Sequence, residues 1–279
     1  MVSINWYPGH MVKARREIEK NLKMVDIVLL LLDARAPLSC RNQDLERLAG
    51  NKRIIMVFNK VDLAHPGYIK KHARQLEQEG FAVALINSLN GQGRKKVLQT
   101  IIDTFGEQAD KIRARGRRVR AVRVMVAGVP NVGKSTFLNC MVGKKVAQTG
   151  AKPGVTRGGQ WIRIREDIEF MDTPGLMWPK IEDEMQAKKL ALLNIVGENA
   201  YNEYEIALFL LEVLKEKKPA ILLEKFKLED IHKHNEELLE EISIQRGHLL
   251  KEGRPDTAKT CKLLLQDFRQ GKLGALSLD

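Results

Sequence analysis

The sequence predicts an α/β protein: a doubly wound, mostly parallel sheet followed by a small all-helical domain. Three observations predict it. Short apolar runs alternate with amphipathic helical patterns through the first two-thirds of the 279 residues. One of those runs ends at a glycine-rich loop that opens a helix. Strand signals then stop near residue 182, and helical periodicity takes over.

The first expected strand is the run from Met24 to Asp33, which leaves the sheet at Asp33-Ala34-Arg35-Ala36-Pro37. A run that is apolar throughout, with no alternation, fits a strand buried on both faces. Arg53 to Phe58 is the second strand and ends at Asn59-Lys60-Val61-Asp62. Phe81 to Ile86 is the third, ending near Asn87-Ser88. Helical patterns over about 42–49 and 68–79 separate them. A further helix is expected between Gly91 and Arg115, followed by a basic linker over about 106–120. Val122 to Ala127 is the next strand. Gln160 to Arg165 alternates apolar and charged residues as an edge strand would, and Ile168 to Met171 leads into Asp172-Thr173-Pro174-Gly175. Amphipathic helices are then expected over about 185–196, 203–217, 228–244 and 256–268. The division is therefore residues 1–180 and 181–279.

Composition narrows the function classes. The formal charge is +12, but residues 1–182 carry 32 Lys and Arg against 17 Asp and Glu, and residues 183–279 carry 15 against 18. The basic surplus lies wholly in the first part. It is densest at Lys111, Arg113, Arg115, Arg117, Arg118, Arg120 and Arg123, the electrostatic footprint expected for a phosphate-backbone partner. No basic segment followed by an apolar core opens the chain, so no secretory signal is expected. The longest apolar run, Ile27 to Leu32, is far below the roughly 20 residues that span a bilayer. Three scattered cysteines, Cys40, Cys140 and Cys261, suggest a reducing compartment and no disulfide framework. These features lead to an expectation of a cytoplasmic protein without a membrane partner, monomeric when free.

The strongest motif is Gly128-Val129-Pro130-Asn131-Val132-Gly133-Lys134-Ser135, followed by Thr136. It matches G-x-x-x-x-G-K-[ST], the Walker A loop. Its glycines let the backbone wrap phosphates with N–H groups pointing inward, Lys134 reaches the β- and γ-phosphates, and Ser135 supplies a hydroxyl to Mg²⁺. The helix that follows offers its positive end to the anion. Asn59-Lys60-Val61-Asp62 matches N-K-x-D and selects the base. The Asp62 carboxylate accepts from guanine N1–H and the 2-amino group, neither of which adenine offers there. Discrimination of that kind reaches about 10⁴ to 10⁵. Asn59 is expected on the guanine's other edge, with the Lys60 stem over the ring. Asp172-Thr173-Pro174-Gly175 matches D-x-x-G, placing Asp172 near Mg²⁺ and the Gly175 N–H near the γ-phosphate. Thr156, between them, is the candidate switch threonine that completes the Mg²⁺ shell. Ser88 stands where a serine-alanine-lysine turn meets the base in GTPases, although Leu89-Asn90 departs from that turn.

The order of these motifs is permuted. In ordinary GTPases the Walker A loop comes first; here N-K-x-D and the serine turn precede it. A parallel sheet tolerates this when the old termini are joined and a new break opens in a loop. The basic segment is the expected join. The second switch, from Gly175 onward, then leads straight into the helical domain, so ordering by a γ-phosphate can reposition that domain.

With these motifs the sequence resembles the circularly permuted GTPases of ribosome biogenesis, and most closely the bacterial RbgA (YlqF) family. The resemblance rests on Trp6-Tyr7-Pro8-Gly9-His10-Met11, Asp33-Ala34-Arg35-Ala36-Pro37, N-K-x-D, the Walker A loop, Pro153-Gly154-Val155-Thr156 and D-x-x-G. It implies a circularly permuted P-loop GTPase domain. It also implies GTP hydrolysis coupled to late maturation of the large ribosomal subunit, with ribosomal RNA as the docking surface. In Ras-like proteins a glutamine after D-x-x-G orients the attacking water; Leu176 stands there, which predicts slow intrinsic hydrolysis. The resemblance suggests His10 for that role. Asn131 resembles the asparagine with which some GTPases hold K⁺ beside the phosphates. Two rivals are a GTP-gated RNA-binding scaffold with little hydrolysis and a GTPase acting on tRNA or a membrane complex. In the second part, His232 and His234 point apart on a helix and read as solvated, and residues 246–272 form a basic end that is a second candidate for RNA.

Overall fold

The computed structural model of the protein describes residues 8–144, 161–173, 175, 181 and 183–279, with only the backbone of 8–14 and 198. It divides into two compact units, one within Trp6–Lys180 together with Asp279, the other within Ile181–Leu278.

The first unit is a six-stranded sheet in the order β3-β2-β1-β4-β6-β5. Its strands are β1 (Ile27–Asp33), β2 (Arg53–Asn59), β3 (Ala82–Ile86), β4 (Val122–Ala127), β5 (Trp161–Arg165) and β6 (Ile168–Asp172). All pairings are parallel except β5 with β6. The apolar run of β1 lies between β2 and β4 and is buried along its whole length. This is what covering both faces of a parallel sheet requires. Among the helices are α1 (Pro8–Leu22), α2 (Pro37–Cys40), α3 (Gln43–Ala49), α4 (Pro66–Gln78), α5 (Arg94–Ala114) and α6 (Lys134–Val142). Asn42 and His65 cap α3 and α4 by accepting from backbone N–H groups of their first turns. Phe137 of α6 stacks on Phe170 of β6 with ring centroids 5.9 Å apart, fixing the helix that follows the Walker loop against the sheet.

The expected linker over 106–120 differs from the structure. Helix α5 runs on to Ala114, because Val97, Ile101, Phe105 and Ala109 continue one apolar stripe. Lys111 and Arg113 therefore sit on a helix, and the non-helical join is only about 115–121.

The second unit contains α7 (Glu184–Leu192), α8 (Glu203–Lys217), α9 (Asn235–Gln245) and α10 (Thr257–Arg269). Helix α8 packs against the other three. Leu210, Leu211 and Leu214 meet a core that includes Leu238, Leu239, Leu264, Leu265 and Phe268, all buried. Asp183, Asn202 and Asp256 cap α7, α8 and α10. The helix expected over 228–244 begins only at Asn235. Lys227 takes a left-handed φ of 55° after a wide turn at Ile221–Lys225, which interrupts the helical path. Among the described residues no helix is long and apolar enough to cross a membrane.

Candidate functional site

The strand register brings the motifs to one edge. Asp33 is paired with Asn59, Asn59 with Ile86, and Val126 with Asp172. The carboxyl ends of β1, β2, β3, β4 and β6 thus carry Asp33, Asn59, the Asn87-Ser88 turn, the Walker loop and Asp172. In an open α/β sheet ligands bind outside the carboxyl ends of the strands.

The Walker loop leaves β4 through Gly128, whose φ is 153°. A Cβ there would lie 2.6 Å from the Leu31 carbonyl oxygen. Asn131 turns the loop in the left-handed region at φ 58°, and Gly133 does so again at φ 98°. A Cβ on Gly133 would come within 2.5 Å of Asn59 Nδ2, so only glycine lets the two loops meet. Val132 is fully buried beneath the loop, while Ser135 and Thr136 lie half-buried in the first turn of α6.

Lys134 is buried, and its Nζ donates to the carbonyls of Gly128 at 3.1 Å and Val129 at 2.9 Å. Burial pushes its pKa down to about 8, against the opposing pull of Asp172. Asp172, at the end of β6, is 7% exposed. Burial raises its carboxyl pKa, while Lys134 and the Thr173 N–H pull the other way. Asp172 Oδ1 is buried with no hydrogen-bond partner among the described residues. A buried, unpartnered carboxylate oxygen near the Walker lysine is a fitting donor for a hard divalent cation. Thr173 Oγ1 donates to the Val126 carbonyl at 2.7 Å and holds the strand end. A Cβ on Gly175 would lie 3.0 Å from both Lys134 Nζ and Pro130 N, so the D-x-x-G glycine lies against the Walker loop.

At the other end, Asn59 Nδ2 donates to the Val132 carbonyl at 2.9 Å, and Asn59 Oδ1 accepts from Ser88 N at 3.2 Å. Lys60 Nζ donates to the Asn131 carbonyl at 3.0 Å and pairs with Asp33 at 2.9 Å. Asp62 is exposed, in a short turn of 3₁₀ helix. Ser88 Oγ is buried without a partner among the described residues. Sequence reasoning used Asp33 and Arg35 only as a family signature. The structure places both, fully buried, beside Lys60. The available signal was an acidic residue closing an otherwise apolar strand, next to the N-K-x-D strand.

Thr156, Leu176 and the His10 side chain lie outside the described residues; the His10 backbone is in α1. Of the expected RNA contacts, Lys111, Arg113, Arg115, Arg117, Arg118 and Arg120 are all exposed. Arg120, however, forms a two-pronged pair with Asp26 at 2.8 and 2.9 Å, and Arg113 pairs with Asp110. Arg118 lines two open, shallow depressions, one with Arg163, Arg165 and Glu166, the other with Arg120, Arg123, Arg163, Glu166 and Glu169. In the second unit Arg246 is paired with Asp267, and Arg269 is engaged by the Ala191 and Leu192 carbonyls. Much of that basic end is thus spent internally.

Comparison with known proteins agrees with this layout. The family model "50S ribosome-binding GTPase" matches residues 123–243. The "Ribosome biogenesis GTPase A" of Bacillus licheniformis is 40% identical over 276 residues, 99% of this chain and 98% of that protein. A GDP-bound YlqF structure superposes with a TM-score of 0.71 at 26% identity, over 95% of this chain and 98% of the other. A GNP-bound YlqF from T. maritima gives 0.66 at 27%, over 96% and 97%. Sheet order, motif order and full-length similarity converge: the chain belongs to the ribosome biogenesis GTPase A family, with a circularly permuted GTPase domain.

Proposed function

We propose that this GTPase binds a precursor of the large ribosomal subunit, hydrolyses GTP there, and is released by that hydrolysis. The observation that carries the site assignment is the joint between the two loops: Asn59 and Lys60 both donate to Walker-loop carbonyls, leaving Asp62 exposed beside them. In this reading Asp62 accepts from guanine N1–H and the 2-amino group, Asn59 and Ser88 face the other edge of the base, and the Lys60 stem covers the ring. The N–H groups of Gly128 to Thr136, Lys134 and the Gly175 N–H hold the phosphates. Ser135, Asp172 and Thr156 are the Mg²⁺ ligands. When bound, Mg²⁺ would offset the negative charge of the β- and γ-phosphates. Asn131 is assigned to a K⁺ ion, and His10 to orienting the attacking water that Leu176 cannot hold.

The partner class is supported by the names of the relatives and by charge. Arg118 and Arg163 offer guanidinium groups on exposed surface suited to a phosphate backbone, while Arg120, Arg123 and Arg165 beside them are each paired with a carboxylate. A cytoplasmic setting is supported by the free cysteines Cys40, Cys140 and Cys261.

The test is GTP turnover of the wild type and His10→Ala, alone and with purified large or small ribosomal subunits, in KCl and in NaCl. Stimulation by the large subunit only, absent in His10→Ala with GTP affinity intact, is expected, as is faster turnover in KCl. No stimulation by either subunit would overturn the reading and favour a scaffold. Replacing Arg118 and Arg163 by Glu should weaken subunit binding and flatten its salt dependence, by about one unit of slope for each phosphate left without its arginine.

A further inference from the structure

The Asp33-Ala34-Arg35-Ala36-Pro37 segment has no part in the roles assigned so far, yet it contains the most deeply buried ion pair among the described residues. Asp33 is 0% and Arg35 2% exposed. Their geometry is closely specified. Asp33 Oδ1 accepts from Arg35 N at 3.1 Å and Arg35 Nε at 2.9 Å, and Oδ2 accepts from Arg35 Nη2 at 2.8 Å. Three donors from one residue fix the rotation of the carboxylate. The fourth donor is Lys60 Nζ, at 2.9 Å from Oδ2. Burial works against ionisation of Asp33, and Arg35 and Lys60 outweigh it, holding the carboxyl well below the usual range.

Lys60 is also unusual in its backbone. Its φ and ψ are 59° and 41°, left-handed for a residue that bears a Cβ, a conformation that persists only where the surroundings enforce it. Its ammonium bridges two anchors: the Asp33 carboxylate and the Asn131 carbonyl of the Walker loop. The same loop ends at the positive terminus of α6 and carries Lys134, so a second ammonium there needs a counter-charge. Immediately after Lys60 the chain enters the short 3₁₀ turn that presents Asp62.

We propose that Asp33, locked by Arg35, is a positioning residue for guanine recognition. It pins the Lys60 ammonium against the Walker loop, and so sets both the surface that covers the base and the turn that presents Asp62. The inference rests on the guanine-site reading given under Proposed function. Asp33 touches no ligand in this scheme; it acts through Lys60.

A double-mutant cycle tests this, with affinity for a fluorescent GDP analogue and thermal melting of the free protein as paired readouts. Lys60→Met is expected to lower GDP affinity about tenfold, the scale of one hydrogen bond to a charged group. Asp33→Asn should lower it by a similar factor. If Asp33 acts through Lys60, the Asp33→Asn/Lys60→Met double variant binds GDP no more weakly than Lys60→Met alone. Multiplying effects would make Asp33 a general structural element and overturn the proposal. Asp33→Asn leaves Arg35 buried without its counter-charge, so a second variant, Asp33→Leu/Arg35→Met, removes both charges together. Buried pairs replaced in this way commonly keep the fold. It should melt near the wild type yet show the affinity loss of Lys60→Met. Wild-type affinity in this variant, or its failure to fold, would each overturn the positioning role. Wild-type protein that binds no GDP would instead be a failure of the guanine-site reading itself.

Discussion

The two ends of the nucleotide site are built in opposite ways. At the base end, protein groups satisfy one another: Asn59 joins Val132 to Ser88, and Lys60 joins Asp33 to Asn131. At the phosphate end, charged groups are buried with few protein partners. Lys134 is shifted down by burial, Asp172 is shifted up by it, and Asp172 Oδ1 has no hydrogen-bond partner among the described residues. The first arrangement makes recognition part of the fold. The second stores desolvation cost that an anion and a cation can relieve on binding. Substitutions should therefore separate. Changes at Asn59 and Lys60, whose side chains tie the base end to the fold, cost stability and affinity together. Changes at Lys134, and at Asp62 and Ser88 whose side chains tie down nothing among the described residues, cost mainly affinity.

The largest effect is expected at the phosphate end. Lys134→Ala should weaken GTP binding by on the order of 10² to 10³, the cost of about 3–4 kcal/mol for removing a desolvated charge from its partner. The melting temperature of the free protein should change little, because relief of a buried ammonium offsets the hydrogen bonds lost by the Gly128 and Val129 carbonyls. Titration calorimetry beside a melting curve checks both. A large fall in melting temperature would break the contrast.

Asp62→Asn comes next. The side chain is exposed, so stability should change by no more than about 0.5 kcal/mol. Affinity for GDP should drop about 100-fold, since the amide turns one acceptor toward guanine donors into a donor. Xanthosine diphosphate, which carries a carbonyl at C2, should bind this variant better than it binds the wild type. Equal loss for both nucleotides would remove Asp62 from the base site.

Asn59→Ala tests the coupling itself. Two buried groups, the Val132 carbonyl and the Ser88 N–H, lose their partner. Unfolding stability should fall by roughly 1–3 kcal/mol, several degrees in melting temperature for a domain of this size, and GDP affinity should fall with it. Affinity lost without stability would mean that the base end is not built into the fold. The smallest effect belongs to Ser88→Ala. Its hydroxyl is buried and unpartnered among the described residues, so stability should be unchanged or slightly raised, with GDP affinity down only a few-fold if Oγ meets the base. A clear loss of stability would point to a protein partner for that hydroxyl.

Much of this contrast was legible in the residues. The parallel strands were legible as short, mainly apolar runs ending at motifs, most clearly β1, whose burial along its whole length leaves no polar position before Asp33. The Walker and N-K-x-D loops read well because glycine, lysine and aspartate there answer to ligand chemistry, which is local. Contacts across strands were not legible. Asp33 reaches Lys60 through the pairing of β1 with β2, and no spacing along the chain encodes that approach. Helix ends were the other difficulty. The stripe of α5 overran the expected linker, whereas the path to α9 was cut by a left-handed Lys227 that propensity does not foresee. The charge of Arg120 looked available in one dimension and is engaged by Asp26 in three.

The most direct measurement is displacement of a bound fluorescent GDP analogue from the wild-type protein by GDP, inosine diphosphate and ADP. The account predicts that GDP displaces it best and that inosine diphosphate, lacking the 2-amino group, is weaker by about tenfold or more. ADP should fail at concentrations about 10³ higher. Displacement by ADP as readily as by GDP would contradict the assignment of Asn59, Lys60 and Asp62 to the base.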